Sequence, residues 1–133
     1  MKELIKKVPF PICGLMLGIA ALGNLLQSYS EIAKNVCGIL AVFLLILVLL
    51  KLAMFPAMMA EEMKNPVSAS VMGTLSMALM ILSTYVKPYI GQAAFFIWAL
   101  AVFLHILLII YFTFKFIIKL DMTKVFASYY IVY

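Results

Sequence analysis

The sequence predicts an all-α integral membrane protein: four complete transmembrane helices as two hairpins, followed by the start of a fifth. Three observations carry this prediction. Of the 133 residues, 68% are hydrophobic and 11% charged, whereas a soluble domain is about half apolar and about a quarter charged. The charges also leave long gaps: residues 8–30, 35–50, 65–86 and 88–114 carry none, runs of 23, 16, 22 and 27 residues. A bilayer core about 30 Å thick is crossed by roughly 20 apolar residues rising about 1.5 Å each. Finally, the basic residues alternate in number between the gaps. The ten lysines divide into Lys2, Lys6, Lys7, Lys51, Lys64, Lys115, Lys119 and Lys124 on one side, against Lys34 and Lys87 on the other. The richer side is the cytoplasmic one, which places the N-terminus in the cytoplasm and the chain in the cell membrane.

The whole chain, 1–133, reads as one membrane domain. The first helix is expected over about 9–26. Pro9 and Pro11 suit its first turn, where an N–H has no intrahelical partner. Pro11, Gly14, Gly18, Ala21 and Leu25 share one face, and Gly14 and Gly18 form a Gly-x-x-x-Gly. Such a face either packs closely against another backbone or forms a narrow wall beside a pathway. The second helix, about 36–55, is uniformly rich in Leu, Val and Ile and suits a lipid-facing position. Its charge-free run is the shortest, and Lys51 snorkelling to the interface would lengthen it. Residues 56–66 form a cytoplasmic link, either a loop or a short interfacial helix.

The third helix is expected over about 66–86, with Asn65 as N-cap and Pro66 in the first turn. It is the most polar span, carrying Ser68, Ser70, Thr74, Ser76, Ser83 and Thr84. Ala69, Gly73, Ser76 and Ser83 share a face. The hydroxyls are explained either by bonds to their own helix carbonyls or by a pathway. The fourth helix, about 92–114, holds Trp98 and His105. Trp98, with Tyr29, Tyr85, Tyr89 and Tyr111, fits interfacial aromatic belts. His105 is the one ionisable side chain deep in a span, either bonding a neighbouring helix or relaying protons. The contrast of small, polar helices with greasy ones puts the first and third helices inside and the second and fourth outside. The charge-free run from 125 to 133 spans only about 14 Å as a helix. It reads as a fifth span cut short, so the chain is expected to be a piece of a longer protein.

Much chemistry is excluded. Glu3, Glu31, Glu61, Glu62 and Asp121 all lie outside the spans, which removes buried carboxylates for proton coupling and acidic rings for cation selectivity. One histidine and no intramembrane acid remove most catalytic constellations, and the chain reads as no enzyme. Cys13 and Cys37 belong in opposite leaflets and form neither a disulfide nor a metal motif. No cofactor is implied. The net charge of +5 follows from membrane orientation, so nucleic-acid binding is not read from it. An uncharged pathway still favours anions if the first and third helices ring it, because their N-termini carry partial positive charge.

Two segments carry a family resemblance: VPFPICGLMLGIAALGNLL at 8–26 and KNPVSASVMGTLSMALMILSTYVK at 64–87, together with the ending KVFASYYIVY. The pattern is Pro11, Gly14, Gly18, Ala20, Ala21 and Leu22, then Asn65-Pro66-Val67. In order and spacing the chain resembles the first half of the tellurite-resistance/C4-dicarboxylate transporter family, which includes plant slow anion channels. The resemblance implies half of a ten-helix fold of five hairpins, with odd helices around a central pore, even helices outside and a homotrimer. It implies passage of small inorganic or C4-dicarboxylate anions, with chloride, nitrate, malate, tellurite and sulfite all open. The family's phenylalanine gate falls on a late helix, in the missing C-terminal half. Ala127 stands where relatives usually have a proline, and the first helix lacks the mid-helix proline of some members. Gly14, Gly18, Ser70, Gly73, Thr74 and Ser76 are the residues expected to line or shape the pathway. The alternative is a non-transporting scaffold or subunit of a larger complex.

Overall fold

The computed structural model describes residues 3, 6–118 and 125–133. Lys2, Lys119, Asp121 and Lys124, used above in reading the charges, lie outside the described residues. Every regular element among the described residues is a helix or helical turn, with no strand among them.

Helix α1 spans Ile12–Leu26. It starts three residues later than the sequence reading placed it. The bonds from Ile12 N–H to the Pro9 carbonyl (3.2 Å) and from Cys13 N–H to the Phe10 carbonyl (2.9 Å) close a tighter three-residue lead-in, because neither proline has an N–H to give. At 15 residues it is an apolar helix shorter than the three long ones described below.

Helix α2 spans Glu31–Met54, beginning five residues before the expected start. Ser30 is extended and its Oγ accepts the Ala33 N–H at 3.4 Å, a side-chain N-cap, while Glu31 offsets the positive end of the helix dipole. These 24 residues reach about 36 Å, so the span does not depend on Lys51. Lys51 in fact does not snorkel outward. It is 5% exposed; its ammonium donates to the Val8 carbonyl and lies 4.4 Å from the centroid of the Phe10 ring. Val8 and Phe10, just before α1, therefore lie over the end of α2 and hold the Lys51 ammonium there.

The link contains a short helix, α3, over Pro56–Glu62. Helix α4 spans Pro66–Ile90. Asn65 caps it, its Oδ1 accepting the Val67 N–H at 2.9 Å. The helix runs four residues beyond the expected end, through Lys87 and Pro88, and stops at Gly91. Gly91 has φ +54°, a left-handed geometry that glycine adopts without a Cβ penalty, and its N–H closes the last turn on the Lys87 carbonyl. Helix α5 spans Ala93–Phe112 and passes into a π-helical turn over Thr113–Ile117. Instead of a fifth long helix, residues 125–133 contain a 3₁₀ turn over Ala127–Ile131.

α1 pairs with α2, α4 pairs with α5, and the two hairpins join through α1 against α4. Polar bonds between α1 and α4 link their C-terminal halves, so the two run parallel. The main core is formed by Cys13, Met16 and Ala20 of α1, Ala41 and Val48 of α2, and Met72, Leu75, Ala78 and Leu82 of α4. A second cluster places Tyr129 and Val132 against Ala69 and Phe112. Half of the most apolar window of α4 is buried, against 22% for α2 and 11% for α5. These three helices are each long and apolar enough to cross a membrane.

Candidate functional site

α1 and α4 carry all six residues expected to line or shape a pathway, but the structure places them in two settings. Gly14 and Gly18 lie on the open side of α1, and a Cβ built at either would meet nothing within 4 Å. Their face, with Pro11, Ala21 and Leu25, is turned away from α2 and α4, while Cys13, Met16, Ala20 and Gly23 are buried. The Gly-x-x-x-Gly is thus not a packing seam within the described residues.

Ser70, Gly73, Thr74 and Ser76 are buried. The Ser70 and Thr74 hydroxyls donate to the Val67 and Val71 carbonyls, each at 2.7 Å, and Ser76 donates to the Gly73 carbonyl at 2.9 Å. The Ser70 and Thr74 hydroxyls are thereby bonded within their own helix. Ser76 Oγ also lies 2.8 Å from His105 Nδ1. Either atom can be the donor in this bond, according to the His105 tautomer. His105 therefore ties α5 to α4. Gly73 lies under the C-terminal segment: its Cβ would sit 3.4 Å from the Ile131 carbonyl oxygen and 3.5 Å from Val132 Cα.

The closest approaches occur at two glycines that periodicity did not single out. A Cβ on Gly23 would collide with the Tyr85 hydroxyl and stand 2.6 Å from Cys37 Cβ; one on Gly38 would stand 2.7 Å from Tyr85 Cδ1. Both spaces are filled by the Tyr85 ring. Its hydroxyl donates to the Ala20 carbonyl at 2.6 Å, and Lys34 lies 5.4 Å from its centroid. Tyr85 is therefore a clamp among three helices rather than a member of an interfacial belt. Near it, Asn24 Nδ2 donates to Thr84 Oγ1 at 3.2 Å, a second polar tie between α1 and α4. At the opposite end, Lys115 and Tyr111 both donate to the Met63 carbonyl at 3.3 Å. Among the described residues, no three His, Cys, Asp or Glu side chains converge as metal ligands.

Among the described residues, the hydroxyl beside a ring nitrogen is Ser76, 2.8 Å from His105 Nδ1, and it serves as a tie between helices. The arrangement offers two parallel helices, an open glycine face and hydroxyl oxygens held in fixed orientations. No curated protein and no solved structure matches the chain. The family model described as voltage-dependent anion channel (SLAC1) matches residues 7–132, across both hairpins and the C-terminal turn. The chain, a multi-pass membrane protein by its helices, belongs to the voltage-dependent anion channel family.

Proposed function

We propose that this chain supplies one half of a membrane anion conduit, with α1 and α4 beside the pathway and α2 and α5 toward lipid. The observation that carries the reading is the open Gly14–Gly18 face. It is small-sided, uncharged and unoccupied by any described helix, in a chain whose family conducts anions. Gly14 and Gly18 border the pathway directly. Ser70, Gly73, Thr74 and Ser76 shape it from behind, by fixing the position of α4 against α5 and the C-terminal segment. The missing half of a ten-helix fold closes the conduit and brings the gate, and the assembly is a homotrimer in the cell membrane with its N-terminus in the cytoplasm. Substrates are small inorganic or C4-dicarboxylate anions, which move without covalent chemistry.

The test is anion efflux from proteoliposomes that contain the full-length protein, loaded in turn with chloride, nitrate, sulfite and malate. Efflux above protein-free vesicles is the expected result. Efflux equal to the protein-free control for every anion contradicts it and leaves a non-transporting scaffold.

A further inference from the structure

A groove of about 440 Å³ opens between the C-terminal end of α4 and the first two turns of α5. Its size is within the range of small-ligand sites. From α4 it is lined by Ser83, Thr84 and Lys87; Gly91 and Gln92 cross its top; Phe95 and Trp98 of α5 form a wall. The lining is divided along the membrane normal. Lys87 and Gln92 lie at the hairpin end. Phe95 and Trp98 descend from there, Trp98 six residues or about 9 Å below Gln92.

Each polar group in the groove has a definite character. Lys87 is exposed and brings a cation. The Ser83 hydroxyl donates to the Met80 carbonyl and keeps its oxygen lone pairs as acceptors, whereas the Thr84 hydroxyl is held between the Ile81 carbonyl and the Asn24 amide of α1. Pro88 lies inside α4 and has no N–H to give the Thr84 carbonyl one turn below it. The groove thus pairs one cation with hydrogen-bond acceptors above an aromatic wall. A phosphate oxyanion matches the cation, a headgroup hydroxyl matches the acceptors, and an acyl chain matches Phe95 and Trp98. A free anion would leave the aromatic wall unused.

We propose that this groove binds one anionic phospholipid, its phosphate on Lys87 and its first acyl segments along Phe95 and Trp98. The site is separate from the open face of α1 and does not depend on the conduit reading.

Trp98 is the single tryptophan of these 133 residues, and its fluorescence, taken as the difference from a Trp98→Phe protein, reports directly on the groove. The protein is reconstituted in phosphatidylcholine vesicles. Acyl-brominated phosphatidylglycerol or acyl-brominated phosphatidylcholine is then added at equal mole fraction. The expected result is a preference of about fivefold for quenching by the anionic lipid, the size of one lysine at a membrane surface. Lys87→Gln should remove the preference and Lys87→Arg should keep it. Equal quenching by the two lipids overturns the proposal, as does a preference that persists in Lys87→Gln. Inorganic phosphate that relieves the quenching at matched ionic strength also overturns it, in favour of a free-anion site.

Discussion

Glycine has opposite consequences at different positions of this chain, and substitution separates them. Gly38 faces the Tyr85 ring at 2.7 Å from a would-be Cβ, so Gly38→Leu forces the ring out of a three-helix contact. The expected loss is about 2 kcal/mol, the usual range of overpacking. Gly18 faces open space, so Gly18→Leu should change the stability of the isolated chain by no more than about 0.5 kcal/mol. Thermal unfolding in detergent compares the two directly; equal losses would refute the assignment of the faces. The Ser76–His105 bond gives a second test at this scale. A double-mutant cycle with Ser76→Ala and His105→Ala should return a coupling of about 0.6 kcal/mol, typical of interhelical bonds in membranes. A coupling of zero would mean that the bond does not tie α5 to α4.

The helices begin and end where local chemistry dictates, and that part was largely readable. Asn65 and Pro66 announce the start of α4 because a cap and a first-turn proline act within a few residues. Asn65→Ala should cost about 1 kcal/mol, seen as faster hydrogen exchange at Val67 to Ser70 with little change in mid-helix; unchanged exchange there would mean the cap is idle. A charge does not mark the start of α2, which begins five residues before the start expected from the charge-free run. Ser30 caps there instead, and Glu31 and Lys34 lie within the helix. The expectation of 66–86 for α4 stops at the charge of Lys87, yet the helix continues through Lys87 and Pro88, and Gly91 is what stops it. Periodicity identified the face shared by Gly14 and Gly18 but could not say what covers it. Nor could it find the Tyr85 clamp, because Gly23, Gly38 and Ala20 meet that ring only through packing between helices far apart in sequence.

At the scale of the molecule, two hairpins meet through parallel helices α1 and α4, with α4 the most buried long helix. Composition and charge spacing identify the membrane and the all-helical architecture, since both follow from burying backbone polar groups inside a bilayer. They do not fix which faces of α1 and α4 meet, and here the candidate residues separate: Gly14 and Gly18 outside, Ser70, Gly73, Thr74 and Ser76 within. The central claim is that the open face of α1 borders an anion pathway. Its most direct test is anion efflux by the full-length protein carrying Gly18→Phe, read beside its thermal stability. The account predicts efflux reduced about tenfold or more, a barrier increase of about 1.4 kcal/mol, with the unfolding temperature unchanged. Wild-type efflux through the Gly18→Phe protein would contradict it.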